Sequence, residues 1–214
     1  MQTIFHRLTF WFCIKLIIFL IPVFCFEKTN AQSSEHKPFK YFGFHAGINF
    51  SNMNFNAGEP PPPEHIAASW KPGFNFGFLL NIPLAGKLIL QPEFTYTQRN
   101  GADKSLGLDY TADYLSIPVL LNYQVISGFA LIAGPQVELL LDARSVFNGQ
   151  STNITHDVEE RSFGVTGGLE VEIAKDLFIS ARYFQGLNHI GIGQRSDVKE
   201  FQYQVFSLLA GIRF

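Results

Sequence analysis

Tyr41-Phe42-Gly43-Phe44-His45-Ala46-Gly47-Ile48-Asn49-Phe50 decides how this chain folds. Phe42, Phe44, Ala46, Ile48 and Phe50 share one parity, and Gly43, His45, Gly47 and Asn49 share the other. A period of two belongs to a β-strand whose two faces meet different surroundings; a helix would group residues three and four apart.

The same pattern returns seven times. Pro72 to Ile82 sets Phe74, Phe76, Phe78, Leu80 and Ile82 against Gly73, Asn75, Gly77 and Asn81. A third segment sets Leu88, Leu90, Phe94 and Tyr96 against Gln91, Glu93, Thr95, Thr97 and Arg99. The fourth sets Leu115, Ile117, Val119, Leu121 and Tyr123 against Ser116, Pro118 and Asn122. In Phe129 to Leu141, Leu131, Val137, Leu139 and Leu141 oppose Gly134, Gln136 and Glu138. Phe163, Val165, Leu169, Val171 and Ile173 then oppose Gly164, Thr166, Gly168, Glu170 and Glu172. Leu177, Ile179, Ala181 and Tyr183 alternate with Ser180 and Arg182, and Phe206, Leu208, Ala210, Ile212 and Phe214 with Ser207, Gly211 and Arg213.

Alternation alone allows a soluble sandwich with its apolar face inside, or a membrane barrel with that face on lipid. The polar face separates the two. It is Gly, Ser, Thr and Asn with a few charges, and lacks the Lys and Glu density of a water-facing surface. Small residues suit a narrow lumen filled by side chains. Composition agrees: of 214 residues, 47% are hydrophobic, 15% aromatic and only 16% charged, whereas soluble domains average about a quarter charged. The expectation is one all-β domain, an eight-stranded antiparallel transmembrane β-barrel over residues 40–214.

Connections support it. Leu84-Ala85-Gly86-Lys87, Ile126-Ser127-Gly128 and Ala174-Lys175-Asp176 are short, whereas Ser51 to Lys71, Asn100 to Ala112, Asp142 to Arg161 and Asn188 to Glu200 are long and polar. Short turns at one end and long loops at the other are usual for outer-membrane barrels, with an even strand number and both termini in the periplasm. Turn-centred register places Asn81 opposite Gln91, Asn75 opposite Thr97, Ser116 opposite Glu138 and Glu170 opposite Ser180, so the polar faces coincide. Asn122 falls opposite Ile132, an apolar exception.

Upstream, Arg7 precedes an apolar run from Leu8 to Phe26 that only Lys15 interrupts. Thr29 and Ala31 are small residues two apart, which predicts a cleavable signal peptide over 1–31 and a short periplasmic segment over 32–39. The competing reading is an uncleaved anchor, since nineteen residues just span a bilayer. Cys25 suits lipid attachment poorly because bulky Phe24 precedes it. Both cysteines, Cys13 and Cys25, fall in this stretch, so the predicted mature chain has no disulfide or thiolate chemistry. Losing residues 1–31 moves the net charge from −2 to about −4, which does not point to nucleic acid.

Phe42 to Ser51, Tyr114-Leu115-Ser116-Ile117-Pro118-Val119-Leu120-Leu121, Ala133-Gly134-Pro135-Gln136, Phe163 to Gly168 and Arg182 to Leu187 together resemble the small outer-membrane β-barrels of the Bacteroidota, often called porin-family or PorT-like. Gln32 after the expected cleavage site is typical of that group. Terminal Phe214 resembles the signal read by the barrel-assembly machinery during insertion. The resemblance covers nearly all of the mature chain. It implies residence in the cell outer membrane, with lipid and lipopolysaccharide as neighbours, and implies no catalytic residues and no cofactor.

The lumen face carries the chemistry that remains: Glu93, Arg99, Glu138, Glu170, Glu172, Arg182 and Arg213. Glu170 and Glu172 stand about 7 Å apart, two strand rises, like a paired-carboxylate site with Arg182 as the expected neighbour. A charge network that fills and locks the barrel explains the set better, because charges away from water must pair. Eight strands leave a lumen that side chains fill, which argues against a wide pore. His45 has no serine partner in a recognisable arrangement and reads as a hydrogen-bonded filler. His156, Asp157, Glu159 and Glu160 do not match a calcium-loop spacing. Gly191-Ile192-Gly193 lacks the strand–helix setting of a nucleotide fingerprint, and Pro60 to Pro63 stiffens the first loop. Asn153-Ile154-Thr155 matches a glycosylation pattern at chance frequency.

A non-enzymatic structural or envelope-associated barrel with long outward loops is therefore expected. An accessory of protein secretion and a narrow small-solute channel stand as alternatives, and their partners are not named by the sequence. An outer-membrane enzyme would need a His or Asp set near the loop-side rim.

Overall fold

Lipid offers no hydrogen bonds to a backbone, so strands with one greasy face must pair all the way round to cross it. The computed structural model describes residues 41–57, 68–103, 107–192 and 199–214. The expected leader, the segment 32–39, Pro60 to Pro63 and Gly193 lie outside the described residues.

The elements run β1 (Phe42–Asn54), β2 (Lys71–Leu80), β3 (Ile82–Ala85), β4 (Leu88–Asp103), β5 (Leu108–Ile126), β6 (Phe129–Phe147), β7 (Gln150–Asn153), β8 (Arg161–Glu172), β9 (Leu177–Gly186), β10 (Ile190–Ile192) and β11 (Lys199–Arg213). Antiparallel neighbours follow the order β1, β2, β4, β5, β6, β8, β9, β11, and β11 pairs back onto β1 from Gly43↔Arg213 to Asn54↔Gln202. The ring of eight is closed. β3 continues the wall strand begun by β2 and pairs with β4, while β7 pairs with β6 and β10 with β11. The eight alternating segments are the eight wall strands.

Polarity is inverted relative to a soluble domain. Phe76 on the outside is 51% exposed, and Phe44, Leu131, Phe163 and Leu208 are exposed with it, whereas Glu93 inside is 0% exposed. The expected register is present in Asn75↔Thr97, Ser116↔Glu138 and Glu170↔Ser180. Asn122 does face Ile132, and Ile132 is buried in the lumen along with Leu79 and Leu120. Two inward glycines let the wall curve this tightly. A Cβ on Gly47 would lie 2.0 Å from the Leu208 carbonyl oxygen, and one on Gly134 2.1 Å from that of Val119. At the seam, the Phe214 ring lies 5.6 Å from Phe42 and 5.8 Å from Phe44, so the C-terminal aromatic packs on the first strand.

The long loops are shorter than the sequence reading expects. β4 runs on to Asp103 and β5 begins at Leu108, so most of Asn100 to Ala112 is strand. β6 continues to Phe147 and turns back through Asn148 and Gly149 into β7. Both turn residues have positive φ, 49° and 79°, the conformation of a two-residue hairpin turn. β5 and β6 each hold 19 residues. At ~3.3 Å per residue and ~40° tilt that is about 48 Å of height, against an apolar band of about 25 Å. Beyond that band water bathes the outer face, so the apolar alternation that marks a lipid-facing strand stops while the pairing continues.

Candidate functional site

Inward positions stack in layers along the barrel axis. Nearest the short turns, the Arg213 guanidinium donates to Glu170 and lies 4.1 Å from the Phe178 ring centre. The Asn122 amide donates both to Glu170 (3.1 Å) and to Gln91 (3.0 Å), and Gln91 in turn donates to Glu93 (2.7 Å). Arg182 grips Glu93 across the lumen through both terminal nitrogens, at 2.7 and 3.0 Å, while its Nε donates to Ser180 at 2.9 Å. One hydrogen-bonded chain thus joins Arg213 to Arg182.

A second chain lies nearer the loops. Glu138 accepts from Arg99, from Ser116 (3.0 Å) and from Gln136 (2.8 Å), and Gln136 accepts from Thr166 at 2.6 Å. The Arg99 guanidinium is flanked by the rings of Phe184 and Tyr203, whose centres lie 4.5 and 4.6 Å away. Desolvated cation–π contacts of this kind each contribute up to about 2 kcal/mol.

Above Arg99 the lumen turns apolar. Met53, Phe55, Tyr110, Tyr114, Phe201 and Tyr203 form a buried cluster with Val158, Ile190 and others. Phe55 sits on a 3-10 turn (Phe55–Ala57) directly after β1 and lies 5.4 Å from Phe201, centre to centre. Tyr110 belongs to the part of β5 beyond the apolar band, and burial there, with Asp103 nearby, pushes its hydroxyl pKa up. This aromatic cap closes the loop-side end of the lumen. It is missing from the sequence reading, although its residues carry a signal. Tyr110 and Tyr114 share the parity of Ser116, Phe184 that of Arg182, and Tyr203 that of Ser207.

Of the seven charged residues singled out by sequence, six come together inside: Glu93 with Arg182, Glu138 with Arg99, and Glu170 with Arg213. Arg182 takes Glu93 rather than the expected Glu170. Glu172 is exposed, because β8 ends there and its side chain lies a full strand step below the last buried layer. His45 Nε2 shares a hydrogen bond with the Thr95 hydroxyl at 3.1 Å, inside the lumen. His156, Glu159 and Glu160 are exposed, and among the described residues no group of three or more metal-ligating side chains forms. Gly191 and Ile192 are the middle and end of β10, paired with Glu200 and Lys199.

A closed ring of eight strands, greasy outside and charge-paired inside, defines a small transmembrane β-barrel of the outer membrane. The chain belongs to the family described as outer membrane protein beta-barrel domain, which matches residues 30–191. Among solved structures it is similar to Neisserial surface protein A, at 14% identity and a TM-score of 0.52, covering 81% of this chain and 97% of that one. It is also similar to the attachment invasion locus protein Ail of Yersinia pestis, at 16% identity and a TM-score of 0.49, covering 82% and 99%. At such identities the likeness to the neisserial protein is one of fold. No curated protein matches the chain by sequence.

Proposed function

We propose that the protein is a non-enzymatic, closed structural barrel of the outer membrane whose lumen is a plug rather than a passage. The observation that carries this reading is the sequence of layers along the axis: a part-buried ion pair, two buried ones, then an aromatic cap. A continuous wet path past Glu93 and Arg99 would have to open both, at the cost of stranding charges in a low-dielectric interior. This runs against the small-solute channel. Short turns face the periplasm in such barrels, so the far ends of β5 and β6, with β7 turned back on β6, stand outside the cell, where Asp109, Asp142 and Arg144 give them a polar surface for envelope partners. Liposomes carrying the purified protein test the plug. No swelling is expected in small sugars, and swelling at the rate of a porin control would overturn it.

The narrower kinship with PorT-like barrels rests on the strand motifs quoted above. A role as a secretion accessory follows only from that kinship, and loss of a secreted protein from the medium on gene deletion is the result that would support it.

A further inference from the structure

A cavity of about 40 Å³ lies between the two hydrogen-bonded chains of the lumen, walled by His45, Asn75, Arg99 and Arg182 among others. We propose that it is a built water site, holding two or three water molecules that join the two chains into one column from Arg213 to Arg99. This goes beyond the plug reading, which requires only that each chain be satisfied within itself.

Four polar atoms on three of the walling side chains have no hydrogen-bond partner in the protein: His45 Nδ1, Asn75 Oδ1, and Nε and Nη1 of Arg99. All three side chains are more than nine-tenths buried, at 4%, 6% and 2% exposed. Buried polar groups without partners are costly, and each buried water typically supplies about three hydrogen bonds to such groups. One water needs at least roughly 10–15 Å³ of this kind of space, so the volume has room for about three. The set offers both donors and an acceptor, as a water cluster requires.

Charge excludes the obvious rival, a small anion. Arg99 and Arg182 at the cavity are already matched by Glu138 and Glu93. A monovalent anion would therefore enter as an unpaired charge in the middle of the membrane, whereas water enters neutral. An apolar occupant is no better, because it leaves all four atoms unsatisfied.

The test is a high-resolution crystal structure of the protein isolated from outer membranes, with a second crystal soaked in sodium bromide and a third pressurised with xenon. Two or three ordered peaks within hydrogen-bond distance of His45 Nδ1, Asn75 Oδ1 and Arg99, with no anomalous signal in either soak, are expected. An anomalous bromide peak there would assign the site to an anion and overturn the proposal. Xenon in the cavity, or Asn75 and Arg99 closing the space by pairing directly, would overturn it equally.

Discussion

Replacing Arg182 with Met removes a guanidinium that holds Glu93 at 2.7 and 3.0 Å and leaves the rest of the wall unchanged. Glu93 is 0% exposed, and its other side-chain partner is the Gln91 amide. Removing one member of a buried ion pair costs about 3–5 kcal/mol, because a charge is left without compensation. At about 1.4 kcal/mol per tenfold, the folded-to-unfolded ratio should fall by roughly two to three and a half orders of magnitude. Replacing both residues, Arg182→Met with Glu93→Leu, removes the stranded charge and should return stability to within about 1 kcal/mol of the parent, since apolar replacement of a buried pair is often neutral. The assay is reversible urea unfolding in lipid vesicles, followed by tryptophan fluorescence and by the gel shift of the folded form. A loss of less than about 1 kcal/mol in the single Arg182→Met variant would mean that Glu93 is not stranded. Water would then be reaching Glu93 freely, and the lumen would not be closed.

Other outcomes follow from the same structure. Gly47→Val should prevent barrel closure, since its Cβ would meet the Leu208 carbonyl at 2.0 Å; loss of the folded gel species and accumulation outside the membrane fraction would show it. Ile48→Arg places a charge on the outward face of β1, six residues or about 15 Å above the periplasmic end of that strand, where it should cost about 2–4 kcal/mol near the bilayer midplane, whereas in a soluble barrel with that face in water it would cost almost nothing. Tyr203→Ala should destabilise by about 3–5 kcal/mol through the cavity it opens in the cap, and Arg99 loses one of its two flanking rings with it, so denaturant midpoints should fall further than for an outward Phe206→Ala. Asn148→Ala should weaken the β6–β7 hairpin alone, as faster backbone hydrogen exchange over Gln150–Asn153, because only Gly and Asn accept a positive φ cheaply.

How much of this was legible in the sequence depends on which interactions are local. Wall strands and hairpin pairings are set by parity and by nearby turns, so Asn75 against Thr97 and Glu170 against Ser180 can be derived from numbering alone. The partner of Arg182 cannot. Glu93 lies on β4 and Arg182 on β9, strands that are not neighbours in the wall, and their meeting depends on the tilt and stagger of the closed ring. The aromatic cap was hidden differently. Tyr110, Phe184 and Phe201 are apolar side chains at inward parity, which reads as a lapse in alternation unless a plugged lumen is already in mind. Strand extension past the membrane leaves no apolar stripe to read, yet Asn148-Gly149 is a strong two-residue hairpin signal and marks the turn of β6 into β7 plainly.

A closed barrel with its apolar face on lipid reveals itself when unheated and boiled protein from an outer-membrane fraction are compared on a gel. Recovery in that fraction and a shift in mobility on boiling are expected, because the closed ring resists detergent until it is heated. A single heat-independent band from a soluble fraction would contradict it and turn the strand faces inside out.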